Sequence, residues 1–202
     1  MTVDAKWIKD ALAKHPCSAL AGGMLRSCPV RLSFPELFVA KAGTDDAGNP
    51  TTPKFGVTLL FPKGADISVL RAAVKTAQDG KFGTAYKGAK LHVPFRDQED
   101  KAHFEGYEPG AFFFSASTMQ KPQVVDVGGN KITDEERVYP GVWAIVSLRP
   151  YAFDTPKKKG VSLGLGNVMI IRDDDRLGGG RTEAADDFAG VDASGDAAAM
   201  FE

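Results

Sequence analysis

The chain has 202 residues, of which 43% are hydrophobic and 25% charged, enough apolar content for one core and too much for global disorder. No apolar run approaches the ~20 residues a membrane helix requires, and the start Met1-Thr2-Val3-Asp4-Ala5-Lys6 lacks a secretory signal's apolar stretch, so no membrane partner is expected. Two cysteines, Cys17 and Cys28, make no disulfide framework and lack zinc-knuckle spacing, which points to a reduced, cytosolic interior.

The formal net charge of −1 hides a split. Residues 183–202 hold six acids and no Lys or Arg, which leaves 20 acids against all 25 bases in residues 1–182, a body of net +5. Such asymmetry suits a body that binds polyanions and a tail that competes or recruits, or a tail that only keeps the chain soluble.

Residues 4–15 place Trp7 or Ile8, Ala11, Leu12 and His15 on one helical stripe that Pro16 ends, and residues 1–28 read as an N-terminal extension. From Val30 the period changes to two. Val30-Arg31-Leu32-Ser33-Phe34 alternates, with Arg31 and Ser33 on the polar face. Phe55, Val57, Leu59 and Phe61 form an inward set that leaves Lys54 and Thr58 outside. Between these strands residues 43–50 form a polar loop. A helix is expected from Asp66, a plausible N-cap, through Ile67, Leu70 and Val74, with Gly80 as its stop.

Strands are expected again at Leu91-His92-Val93-Pro94-Phe95, over 111–118, over 123–127, from near Val138, and over 161–171. A charged loop spans 96–109. Strands with one internal helix favour a small barrel over a doubly wound sheet. The terminus from Asp173 lacks the apolar content to fold alone.

Enzyme signatures are absent. Gly164-Leu165-Gly166-Asn167 lacks the third glycine of a dinucleotide fingerprint, and His15, His92 and His103 are too scattered for a triad. Asp134-Glu135-Glu136 and Asp173-Asp174-Asp175 are acid runs of the kind that loops usually leave hydrated. No catalysis, cofactor or metal is expected.

The strand Val142-Trp143-Ala144-Ile145-Val146-Ser147-Leu148-Arg149 is the informative one. Its even positions are apolar throughout; its odd positions carry Trp143 and Arg149 together on the less buried face. An aromatic beside a guanidinium suits a nucleobase stacked over the sheet with its phosphate on the cation, while a partly buried core tryptophan is the equal alternative. Pro150 breaks the alternation, so Tyr151 and Phe153 either continue the aromatic face or switch to the core. Beyond them Lys157, Lys158 and Lys159 suit a phosphate backbone. Phe113, Ser115 and Ser117 look outward from a strand whose following turn carries Lys121. The nucleic-acid contacts expected are thus Arg31, Lys54, Phe113, Lys121, Trp143, Arg149, Tyr151, Phe153, Lys157, Lys158 and Lys159.

Several phrases occur together and in order: Val30-Arg31-Leu32-Ser33-Phe34-Pro35-Glu36-Leu37-Phe38, Pro53-Lys54-Phe55-Gly56-Val57-Thr58-Leu59-Leu60-Phe61-Pro62-Lys63, and Ser115-Ala116-Ser117 with Lys121-Pro122-Gln123-Val124-Val125-Asp126. They continue with Val138-Tyr139-Pro140-Gly141, Tyr151-Ala152-Phe153, the run from Gly160 to Val168, Arg176-Leu177-Gly178-Gly179-Gly180-Arg181-Thr182 and Asp186-Asp187-Phe188. Across roughly residues 29–190, this pattern resembles the bacteriophage single-stranded-DNA-binding proteins.

The resemblance implies a mainly β chain: an OB-fold-like five-stranded barrel over 29–175 with an inserted helix and a disordered acidic tail over 176–202, while the helical extension over 1–28 lies outside the family's pattern. It implies a protein that coats single-stranded DNA during phage replication or recombination in the cytoplasm of the infected bacterial host; the sequence leaves monomer and dimer both open. A phage structural β-barrel and a metal-dependent nuclease are the alternatives. It also implies that the tail docks replication proteins, here through Asp186, Asp187, Phe188 and Phe201. Phe201 is penultimate in Ala199-Met200-Phe201-Glu202, a departure from a terminal aromatic.

Overall fold

The computed structural model describes residues 4–44, 48–88, 90–178 and 189. Five strands form a ring: β1 (Val30–Lys41), β2 (Lys54–Leu60), β3 (Phe112–Thr118), β4 (Trp143–Asp154) and β5 (Lys159–Arg172). β1 pairs antiparallel with β2 (Leu32 opposite Leu59), and β2 with β3 (Thr58 opposite Ser115). β3 runs parallel to β5 at Ser117 and Gly164; β5 forms a hairpin with β4, and β4 returns to β1 at Val30 and Ala144. The ring closes, which removes exposed strand edges from the barrel. This is the mainly β, OB-fold-like five-stranded barrel expected.

Period-two alternation sends one face of every strand inward. Leu32, Val57, Leu59, Phe114, Ala116, Val142, Ala144, Val146, Leu148, Val161 and Leu163 are buried in one core. Helix α2 (Ser68–Phe82) adds Leu70 and Val74 to that core, as their helical spacing requires. Gly80 does not stop α2. An interior glycine costs a helix only about 1 kcal/mol, and the end falls instead at Gly83, whose φ of 81° suits a terminating glycine. Asp66 accepts a hydrogen bond from the Ser68 amide at 2.8 Å, one position before the cap.

Helix α1 (Ala5–Lys14) is capped by Asp4, whose carboxylate accepts from the Trp7 amide at 2.6 Å. Residues 17–28 do not stand apart from the barrel. Leu25 and Arg26 pair with Leu148 and Ser147 of β4, and Cys17, Leu25 and Cys28 lie in the barrel core.

Three strand expectations shrink. Of residues 91–95 only His92 forms a bridge, to Gly160, because Pro94 has no donor for a ladder. The 123–127 strand contracts to Val124–Val125, since Asp126 turns the chain by accepting from the Gly128 and Asn130 amides. β4 starts at Trp143, five residues later than expected, after a 3₁₀ turn at Glu135–Arg137 capped by Asp134.

β1 runs longer than its alternation implied. Ser33 faces Thr58 and Glu36 faces Gly56, so Phe34 and Pro35 together oppose the single residue Val57. This is a β-bulge, and Phe34 takes a φ of 48° in it.

Candidate nucleic-acid interface

The outward face of the barrel has a floor of small hydroxyl residues. The side chains of Thr58 and Ser115 share a hydrogen bond at 2.7 Å across β2 and β3. Ser115 and Ser162 of β5 line a hollow of about 220 Å³ with His92, Pro94, Arg96 and Lys158. Ser162 in turn faces Tyr151 across the β4–β5 ladder. Thr58 is buried, while exposed Ser115 and half-buried Ser162 leave room above the sheet, and their hydroxyls both donate and accept.

The β4–β5 hairpin stands over one end of this floor. Tyr151 is 46% exposed, its ring centroid 6.4 Å from that of Phe153, which lies 5.9 Å from the His92 ring. The turn is closed by Thr155, whose side chain donates to the Lys158 carbonyl at 2.7 Å. Lys157, Lys158 and Lys159 are exposed, and Lys159 pairs with Asp154 at 3.0 Å, which raises its pKa. Opposite the turn, Tyr86, Lys90 and His92 complete a cavity of about 760 Å³.

His92 is fastened to the hairpin through its backbone, its amide donating to the Lys159 carbonyl at 2.9 Å. A Cβ at residue 160 would stand 2.3 Å from the His92 carbonyl oxygen, so only glycine permits this approach. Partial burial, reinforced by Lys158 and Arg96, lowers the His92 pKa below its ordinary value.

Of the residues named from sequence, Tyr151, Phe153, Lys157, Lys158 and Lys159 come together here. Three others are engaged by contacts within the protein: Trp143 and Phe113 are buried, which corrects the sequence expectation for those two, and Arg31 is half-buried. Trp143 is only 2% exposed: it meets Trp7 of α1 edge-on at 5.1 Å, and its Nε1 donates to Asp174 at 2.8 Å. Phe113 is 4% exposed beneath Tyr107, at 5.5 Å between centroids, and beside Leu60. Arg31 donates from Nε to the Gly141 carbonyl at 3.1 Å and from Nη2 to the Asp175 carbonyl at 2.7 Å. All three side chains point outward as expected, but other segments cover Trp143 and Phe113 and hold Arg31 by its hydrogen bonds.

Arg149 is exposed and donates to the Gly22 carbonyl at 3.2 Å. Lys54 begins β2 opposite Lys41, at the end of the β2–β3 ladder away from Phe113. Lys121 is exposed, with Nζ 5.9 Å from the Phe38 ring centroid. Asp186, Asp187, Phe188 and Phe201 lie outside the described residues.

His92, Arg96, Phe34 and Phe104 were not among the residues picked out from sequence. Phe34 is 54% exposed at the β1 bulge and meets Phe104 edge-on at 5.6 Å. A sequence signal existed: a proline following it inside a strand pattern marks a bulge that re-aims a side chain.

The family model described as Enterobacter phage Enc34, ssDNA-binding protein matches residues 25–198. No curated protein matches the sequence. Among solved structures, the single-stranded DNA-binding protein from bacteriophage Enc34 in complex with ssDNA is similar with a TM-score of 0.68 at 20% identity, over 82% of this chain and 99% of that one. The same bacteriophage protein in another structure gives 0.63 at 20% identity, over 86% and 94%. Gp2.5, a single-stranded DNA binding protein encoded by bacteriophage T7, gives 0.55 at 18% identity, over 82% and 98%. At these identities the structural likenesses establish the shared barrel. The family match spans most of the sequence, and the chain belongs to the family of the Enterobacter phage Enc34 ssDNA-binding protein.

Proposed function

We propose that this chain binds single-stranded DNA without sequence preference and coats it during phage DNA replication or recombination inside the infected bacterium. One observation carries the reading: exposed Tyr151 and half-buried Phe153 share a hairpin with Lys157, Lys158 and Lys159, beside a face that carries Ser115 and Ser162. Aromatic rings stack any base, and cations neutralise phosphates, so the pair suits a sequence-tolerant grip. The relative whose solved structure holds ssDNA has the same barrel at a TM-score of 0.68, which supports the reading.

In this scheme the protein is a binding module and not an enzyme. Residues 29–175 hold the DNA, with Lys54, Lys121 and Arg149 as further phosphate contacts. Residues 1–28 brace the barrel, and residues 176–202 recruit replication proteins through Asp186, Asp187, Phe188 and Phe201.

Fluorescence anisotropy with oligo-dT and with a duplex of equal length, at two salt concentrations, tests the proposal. Tighter binding to oligo-dT that weakens steeply with salt is expected. Equal or tighter binding to the duplex overturns it.

A further inference from the structure

We infer that Phe34 and Phe104 form a second base-stacking station, at the opposite end of the hydroxyl floor from Tyr151. The ligand chemistry is an unpaired nucleobase, and the inference rests on the single-stranded-DNA reading above. Among the described residues Phe34 is the one non-glycine with positive φ, at 48°. Side chains other than glycine occupy that region at a steric cost. Here the strained backbone holds a large apolar ring 54% exposed, against the hydrophobic effect as well. The ring leans on Phe104 and does not enter the core. Strain held at a surface position is a mark of a functional site.

The surroundings point to a nucleobase. Phe104 lies edge-on to Phe34 at 5.6 Å and against the His103 ring at 4.3 Å, so the rings make a stepped platform. Lys101 Nζ stands 5.1 Å from the Phe104 centroid, a cation placed where a phosphate would flank a stacked base. The platform is anchored from below: Phe104 touches Tyr107 at 5.9 Å, and the Tyr107 hydroxyl donates to Ser33 at 3.3 Å.

Ser33 faces Thr58, and Thr58 faces Ser115. The platform therefore continues the hydroxyl row that leads to Ser162 and Tyr151. Following the ring from β1 through β2, β3 and β5 to β4, the row takes four strand steps of about 4.8 Å each along a curved surface. A single strand that follows this row round the barrel meets an aromatic station at each end, passing over buried Ser33 and Thr58 to exposed Ser115 and half-buried Ser162.

Phe34→Gly separates this role from a structural one. Glycine relieves the left-handed strain and removes the ring, so the melting temperature should hold or rise while oligo-dT binding weakens. Loss of one stacked base is expected to weaken binding by about 5- to 150-fold. The salt dependence should stay unchanged, because no charge is lost. Phe104→Ser, in an exposed loop position, should do the same and keeps the test open if Phe34→Gly folds poorly. Irradiating the wild-type complex with an oligonucleotide carrying 5-iodouracil should crosslink Phe34 or Phe104. Wild-type affinity in a folded variant, or a change in self-association in place of DNA affinity, overturns the inference. Failure of the wild type itself to bind oligo-dT would instead remove the reading on which it rests.

Discussion

The indole of Trp143 donates to the carboxylate of Asp174 at 2.8 Å, and this bond joins the first residue of β4 to the segment that follows β5. Asp174 also lies 3.4 Å from the Arg31 guanidinium, so one buried carboxylate holds two outward-facing groups of the barrel. An acid run of a kind that loops usually leave hydrated is, at Asp174, a structural clasp.

Removing the clasp should act on stability and not on DNA. Asp174→Ala leaves the buried indole N–H without its acceptor, at a cost of about 1–3 kcal/mol. Trp143→Ala should cost more, about 3–5 kcal/mol, as for a large core aromatic. Denaturant melts should record both losses, while oligo-dT titrations of the folded fractions should match wild type. Selective loss of DNA affinity at unchanged stability would return Trp143 to the binding face.

The two halves of the hairpin should fail differently. Tyr151→Ala should weaken oligo-dT binding by about 1–3 kcal/mol at every salt concentration, since stacking is not a charge effect. Replacing Lys157, Lys158 and Lys159 by Gln should mainly flatten the salt dependence, by about 0.7 in the log–log slope for each phosphate left without its cation. Anisotropy titrations across a salt series separate them. A lysine variant with the wild-type slope would place the DNA elsewhere.

His92 couples the hairpin to pH. Its folded pKa is lowered by burial first and then by Lys158 and Arg96, so the folded chain resists a proton that the unfolded chain accepts near about pH 6.5. Its contribution to stability is therefore present above that pH and lost as pH falls through the lowered folded value. A phosphate seated beside Lys158 and Arg96 would reverse the shift, so DNA binding should take up protons and tighten on mild acidification. His92→Gln should flatten both trends. An unchanged pH profile of affinity in that variant would show that no phosphate sits there.

Residues 183–202 should compete with DNA for the basic face. Tethering supplies an effective concentration of order mM, so six acids can act through weak attractions. Deleting these residues should tighten oligo-dT binding at low salt, and the gain should shrink as salt screens the charges. Equal affinities for the full and shortened chains at low salt would leave the tail no part in controlling access to DNA.

Local sequence determined which way side chains face. The apolar positions Val142, Ala144, Val146 and Leu148 are in the core, and Trp143, Phe113 and Arg31 are on the other face, because alternation is a property of the extended backbone itself. The limits of α1 follow equally from Asp4 and Pro16, whose capping and helix-ending effects operate within a few residues. Tertiary structure alone decided what covers the outward face. Trp7 reaches Trp143 from the first helix and Tyr107 reaches Phe113 from a loop before β3, while the β1 bulge lifts Phe34 into solvent. Period two says which face a ring is on, but whether that face meets water depends on segments remote in the chain, and their packing is not encoded in any local spacing.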